Sequence, residues 1–164
     1  CDLLLRLSER PRLIVPHWSA EVLAETRRTQ VEKLGWPPEL AESFQTKTRE
    51  AFPDAEVAGY ESLLPALSND PKDRHVLAAA IRSNCPLILT FNLKHFPVEA
   101  LKPWDICASH PQDYLLVLYE MERQQVAACL GEIAGKRKIE VQDVLIRLGK
   151  TLPSFAQRLL DDLG

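Results

Sequence analysis

Residues 69–80 read NDPKDRHVLAAA, and this stretch predicts the start of a helix. The Asn-Asp-Pro run is a turn signal, and proline is favoured at the first position of a helix. We expect the helix to run from Pro71 to about Asn84, with Val76, Leu77 and Ile81 on one apolar face. Pro86 then introduces the apolar run Leu87–Thr90, which predicts a buried strand. A helix followed by a strand is the repeating unit of a parallel sheet.

Apolar periodicity and turn signals also predict the elements on either side of this unit. On the N-terminal side they are a helix ending before Pro11, a strand Leu13–Val15, a helix from Ser19 to about Leu34, a helix from Pro38 to Phe52, a strand Ala55–Gly59 and a short helix Glu61–Leu67. Beyond His110-Pro111 the pattern is continuously helical, in segments Tyr114–Met121, Gln124–Ala134, Val141–Leu148 and Pro153–Leu163. We therefore predict an α/β domain over residues 1–110 and a C-terminal helical extension, residues 111–164, packed on it.

The composition is that of an ordinary globular protein. The 164 residues are 46% hydrophobic and 26% charged, with a formal charge of −3 and a pI near 5.8, so nucleic acid binding has no global basic surface to rest on. The four cysteines form no CxxC pair, which argues against a disulfide framework and a structural zinc and favours the cytoplasm. We expect no membrane span. The chain opens without methionine inside an apolar segment, so we expect its natural beginning to lie upstream.

Polar side chains are expected to converge at one edge of the sheet. In a right-handed α/β unit the helix packs antiparallel to its strand, so Asp73 should return beside the strand end at Asn92. Glu25 lies on the helix that follows the predicted strand Leu13–Val15, and it should approach the same edge. Open parallel sheets bind ligands outside the carboxyl ends of their strands. Carboxylates with an amide or imidazole and no thiolate suit Mg²⁺ or Mn²⁺.

Each of these residues also has a purely structural interpretation. Asp70 and Asp73 are well placed to cap a helix and complement its dipole. Glu25 fits an exposed helical charge set, and His75 fits a polar residue packed near the helix start. Asp73 departs from the simple cap because it precedes Val76 and Leu77 by three and four positions, on the inward face.

The residues resemble a known family. The run 70–81 followed by 88–97, ILTFNLKHFP, looks like the second half of a bacterial PIN domain of the VapC-type toxin branch. Residues 18–25, WSAEVLAE, are similar to that branch's first acidic helix, and residues 110–115 to the segment closing its sheet. The resemblance covers roughly residues 2–120. It implies a Rossmann-like α/β/α sandwich with a parallel sheet and cleavage of RNA at an acidic, metal-binding site.

The resemblance also implies roles for particular residues. Glu25 and Asp73 are the expected catalytic and metal-binding carboxylates for Mg²⁺ or Mn²⁺. The expected site-lining residues are Asp70, Thr90, Asn92 and His95. The family's first aspartate ends a strand that would precede Cys1, and His95 stands where this branch often has aspartate.

We therefore predict a metal-dependent endoribonuclease, the toxin of a bacterial toxin–antitoxin pair, with RNA as substrate, a cognate antitoxin as partner and a homodimer as an open option. One alternative is a catalytically impaired PIN-like module that binds protein or RNA. The other is one half of a split PIN site, in which a separate chain supplies the missing N-terminal strand.

Overall fold

A computed structural model describes residues 2–163 as a mixed α/β protein that is mostly helical. The helices in this range are α1 (Asp2–Glu9), α2 (Ala20–Arg28), α3 (Pro38–Ala51), α4 (Arg74–Arg82), α5 (Val98–Leu101), α6 (Pro111–Met121), α7 (Arg123–Arg137), α8 (Val141–Leu148) and α9 (Pro153–Leu163). The strands are β1 (Trp18–Ser19), β2 (Glu56–Val57), β3 (Leu87–Leu89) and β4 (Cys107–Ser109). The predicted α/β class is confirmed, and the C-terminal segment is helical as predicted.

The four strands form two separate pairs and not the one sheet that we expected. β1 pairs with β2 in parallel, with Trp18 opposite Glu56 and Ser19 opposite Val57. β3 pairs with β4, and the hydrogen bonds from Cys107 N to Pro86 O and from Thr90 N to Ser109 O show that these strands also run parallel. Each strand is only two or three residues long, so each offers few ladder positions to a further neighbour.

The predicted strand Leu13–Val15 is wrong. Arg12 has a left-handed φ of 64°, and Leu13 N donates to Leu7 O at 2.8 Å, so this segment is a turn that closes the end of α1. Leu13 and Ile14 pack against a hydrophobic core, whereas Val15 is exposed. The strand of this region is β1, which begins at Trp18, two residues after Pro16, a residue with no N–H for a ladder.

The chain divides into two compact units. The helical unit comprises residues 2–14, 89–91 and 109–163, and the α/β unit comprises residues 15–88 and 92–108. In the helical unit α1 packs on α7, and α6, α7, α8 and α9 pack on one another around Leu115, Leu145 and Phe155. The core of the α/β unit forms around Leu77 and Ile88. The predicted boundary at residue 110 stays a prediction.

Residues 71–90 form the predicted helix and strand almost as expected. A 3₁₀ turn over Pro71–Asp73 leads into α4, and β3 follows after Pro86. α2 continues as a π-helical turn over Thr29–Lys33 and stops before Gly35, whose φ of +66° suits a residue without a side chain. Within residues 2–163, no helix has the length and apolar character needed to cross a membrane.

Candidate metal site

Two aspartates at the start of α4 play different roles. Asp70 caps the 3₁₀ turn, because its Oδ1 accepts the backbone N–H of Lys72 at 3.0 Å. Asp73 occupies the N-cap position of α4 but makes no capping hydrogen bond with its side chain. The capping interpretation is therefore right for Asp70 and wrong for Asp73, whose carboxylate points to another partner.

That partner is His95, which lies in the turn after β3. Asn92 precedes the 3₁₀ turn Leu93–His95, and the backbone N–H of Asp70 donates to His95 O at 3.3 Å, which holds this turn beside the start of α4. His95 Nδ1 lies 2.7 Å from Asp73 Oδ2, and its Nε2 lies 3.8 Å from Asp70 Oδ2. The ring therefore faces one aspartate at each nitrogen.

The neutral form of His95 with its proton on Nδ1 fits the contact with Asp73. The side-chain amide nitrogen of Asn92 lies 2.8 Å from Nδ1 and 3.1 Å from Nε2 of His95. If Nδ1 carries the proton, it donates to Asp73, and Nε2 has the one acceptor lone pair of the ring, which the Asn92 amide nitrogen approaches at 3.1 Å. This neutral tautomer leaves the lone pair of Nε2 on the side of the ring that faces Asp70.

Asp70, Asp73 and His95 together make a set of donor atoms that fits a divalent cation. Their ligand atoms all lie within 4.8 Å of one another, and all three residues are half-buried. Two carboxylates and a neutral imidazole are ligands for divalent ions of the first transition row and, through the carboxylates, for Mg²⁺.

A second polar cluster surrounds the first turns of α2. Ser19 caps this helix by accepting the N–H of Val22, and the buried hydroxyl of Tyr60 donates to Glu21. This hydrogen bond lowers the pKa of the Glu21 carboxyl below its usual value of 4.5. Burial, with the Glu21 hydrogen bond, raises the pKa of Tyr60 to about 12. The positive charge that His75 can carry also lowers the pKa of Glu21.

His75 connects this second cluster to α4. Its Nε2 lies 3.8 Å from Glu25 Oε2, which is an ion-pair distance but too long for a hydrogen bond. Nε2 is buried and makes no hydrogen bond within residues 2–163. His75 is thus a polar residue packed near the helix start, as predicted, and its nearest charged partner is Glu25.

The predicted site residues fall into three places. Asp70, Asp73, Asn92 and His95 come together. Glu25 lies beside His75, and among the described residues it is not part of the three-residue group of ligand atoms. Thr90 belongs to the helical unit, where its backbone N–H donates to Ser109 O.

Tyr60 is a site residue that the sequence analysis did not identify. It reaches Glu21 across 39 residues of sequence, and no spacing rule connects positions that far apart. Tyr60 lies between Gly59 and the 3₁₀ helix Glu61–Ala66, outside any regular apolar repeat, so its burial could not be predicted from the sequence. Glu21 is an acid in the first turn of α2, and its position near the start of a helix can be read from the sequence, but its tyrosine partner cannot.

The fold and this cluster define an α/β protein with a carboxylate and imidazole site suited to a divalent cation. No family model matches the chain, and no solved structure matches it. A protein of Mycobacterium tuberculosis (strain ATCC 25618 / H37Rv) named "Putative ribonuclease VapC50" is 39% identical over 135 residues, which cover 80% of this chain and 78% of that protein. The chain belongs to the VapC family.

Proposed function

We propose that this chain is a metal-dependent endoribonuclease of the PIN type and the toxin of a toxin–antitoxin pair. The observation that carries the proposal is the cluster of Asp70, Asp73 and His95, which meets at the start of α4 in a chain of the VapC family. The name of the relative supplies the reaction class, and the cluster supplies ligands for the cation that such a reaction uses. The proposed architecture is the α/β/α sandwich of that family.

Asp70, Asp73 and His95 are the proposed holders of Mg²⁺ or Mn²⁺. A divalent cation bound there supplies the charge that activates water and stabilises the leaving oxygen of a phosphodiester. Asp73 holds the imidazole of His95 through Nδ1, and Asn92 contacts the same ring, so these residues fix its orientation. Glu25 keeps its proposed catalytic and metal-binding role from the α2 side, with His75 as its neighbour. The site-lining role expected for Thr90 stays a prediction.

The proposed substrate is RNA, and the proposed partner is an antitoxin of the VapB type. With a net charge of −3, the protein has no overall attraction for phosphate. Binding of a polyanion near the two aspartates of the cluster therefore depends on cation charge at the site. A basic segment of an antitoxin would be attracted to the same acidic positions in the absence of RNA.

The test is RNA cleavage by purified protein with Mn²⁺ or Mg²⁺, compared between wild type, Asp73→Asn and Asp54→Asn. Asp54 is an exposed aspartate in a turn of the same unit, so its variant has the same change of charge away from the cluster. We expect Asp73→Asn to lose at least about a hundredfold in rate, as loss of a metal-site group does, and Asp54→Asn to keep wild-type activity. Equal cleavage by wild type and Asp73→Asn would refute the proposed site.

The same assay separates a nuclease from a silent binding module. A nuclease cleaves RNA only with added divalent cation, and a chelator stops it. A module that binds without chemistry would retain RNA with no cleavage at any cation concentration. That result would overturn the enzymatic proposal.

A further inference from the structure

The imidazole of His95 distinguishes this site from a set of carboxylates alone. Its Nδ1 and Nε2 face Asp73 and Asp70, respectively, at 2.7 Å and 3.8 Å. A cation held here therefore meets a nitrogen donor in place of an oxygen. The inference below rests on the proposed metal-dependent function and concerns which cation the site selects.

The two ring nitrogens of His95 have different roles in the proposed site. With its proton on Nδ1, His95 donates to Asp73, and this contact orients the ring and increases the basicity of Nε2. The Nε2 lone pair then faces the side of Asp70, and a cation bound to Nε2 would replace its contact with the Asn92 amide. A carboxylate that hydrogen-bonds the far nitrogen of a metal-binding histidine is the usual second partner of such a ligand.

Asp70 has only part of its carboxylate available. Its Oδ1 is committed to the backbone N–H of Lys72, so Oδ2 is the oxygen that faces His95. The cluster therefore supplies fewer unshared carboxylate oxygens than two aspartates would suggest. Mg²⁺ depends on hard oxygen ligands and dehydrates reluctantly, whereas Mn²⁺, Co²⁺ and Zn²⁺ accept imidazole readily.

We propose that the site formed by Asp70, Asp73 and His95 takes a first-row transition-metal ion in preference to Mg²⁺, with Nε2 of His95 as a direct ligand. His95 is then the residue that determines cation specificity, and Asp73 positions its ring. Replacing His95 by aspartate restores an all-oxygen set and removes the preference. Among the described residues, the other imidazole near a carboxylate is His75, which lies beside Glu25 but lacks a second acid within the same ligand distance.

The experiment uses Mn²⁺ as the probe on the full chain. Continuous-wave electron paramagnetic resonance measures bound and free Mn²⁺ and its displacement by Mg²⁺, and pulsed measurements detect coupling between Mn²⁺ and an imidazole ¹⁴N. The proteins are wild type, His95→Asp, His75→Gln and His17→Gln. His17 is an exposed histidine of the same unit and serves as the matched control.

We expect ¹⁴N coupling in wild type, His75→Gln and His17→Gln, and none in His95→Asp. In His95→Asp, we expect Mg²⁺ to displace Mn²⁺ at a concentration lower by on the order of tenfold than in wild type. The wild-type spectrum decides the ligand type even if a variant fails to fold.

The other outcomes separate the two proposals. Mn²⁺ bound to wild type without ¹⁴N coupling overturns this inference and leaves the metal-dependent nuclease standing. Coupling that disappears in His75→Gln and persists in His95→Asp also overturns it, because the nitrogen ligand is then His75, which lies beside Glu25. Absence of any Mn²⁺ binding overturns the inference and the proposed metal-dependent function together.

Discussion

The interiors of the two units differ in what they bury. The helical unit encloses large apolar side chains, with Phe155, Leu7 and Leu115 fully buried, and its one buried polar residue, Ser8, bonds to Leu4 O. The α/β unit buries five polar residues, and it contains all of the buried side-chain nitrogen and oxygen atoms that lack a hydrogen bond within residues 2–163. These atoms belong to Trp18, Gln30, Asn69 and His75.

This difference suggests that the helical unit contributes more to stability and that the α/β unit contains the polar groups available for chemistry. A buried polar group without a partner costs about 1–3 kcal/mol, whereas a buried large aliphatic or aromatic side chain contributes roughly as much in the opposite direction. In the α/β unit, three of the four buried residues of α4 are alanines, Ala78, Ala79 and Ala80, which bury little apolar area. Native proteins tolerate such interiors mainly where function requires polar groups. The candidate metal site lies in this unit.

The largest expected effect is on the core of the helical unit. Phe155 has no exposed surface and packs edge-on to Tyr119, with ring centroids 6.5 Å apart. Phe155→Ala should lower the free energy of unfolding of this unit by about 3–5 kcal/mol, because it leaves a cavity. Circular dichroism during denaturant titration measures it, and Val117→Ala, at an exposed position of α6, is the control. A loss no larger than that of Val117→Ala would break the comparison.

The second effect concerns thiol reactivity. Burial raises the pKa of Cys129, in the core of the helical unit, to about 11 from 9.0, whereas Cys107 in β4 is exposed. Two pKa units mean about a hundredfold less thiolate at neutral pH. Alkylation followed by mass spectrometry of each cysteine peptide should therefore show Cys129 reacting at least about a hundredfold more slowly than Cys107. Similar rates at both positions would mean that the helical core opens readily.

The third effect tests the polar interior of the α/β unit. Tyr60→Phe removes the hydroxyl that donates to Glu21, and we expect a loss of about 1 kcal/mol near neutral pH. The pKa of Glu21 is lower in the folded protein than its usual value of 4.5. The stabilisation from the hydrogen bond is therefore fully present above pH 4.5, and it disappears as the pH falls through the pKa of the folded protein. The difference in melting temperature between wild type and Tyr60→Phe should therefore shrink on acidification. A constant difference would assign the loss to packing.

Tryptophan fluorescence reports on the α/β unit in this experiment, because Trp18, Trp36 and Trp104 all lie there. Glu21→Gln is the matched variant, since it removes the charge and keeps the tyrosine. Its melting temperature should show the same loss of pH dependence.

Local sequence signals predicted the region around Asp73 well. The turn Asn-Asp-Pro, the apolar face that includes Leu77 and the proline before β3 are local features, so α4 and β3 could be placed from the sequence. The position of Asp73 followed because an α/β unit returns the helix start to the strand end. Its contact with His95 confirms that Asp73 and the turn after β3 come together.

Features that depend on distant partners could not be predicted in the same way. Leu13–Val15 has the composition of a strand, but the left-handed Arg12 turns the chain back on α1. The sequence shows an acid at Glu25 without showing that His75 is its neighbour. Likewise, nothing local distinguishes Asp70, which caps a turn, from Asp73, which does not. Hydrogen-bond geometry, and not residue type, makes that distinction.

The smallest expected effect on stability sharpens the comparison most. Asp73→Asn should change the free energy of unfolding by less than about 1 kcal/mol, because asparagine keeps an acceptor oxygen for His95 Nδ1 and the side chain is half-buried. Tryptophan fluorescence during denaturant titration measures this, with Asp54→Asn as the control. The same substitution is expected to remove RNA cleavage, so activity and stability should separate at this residue. A large loss of stability would show that the contact between Asp73 and His95 is structural, and the loss of cleavage would then follow from unfolding. Unchanged stability with lost cleavage would assign Asp73 to the chemistry. The stability of the protein would then come from hydrophobic cores such as the one around Phe155.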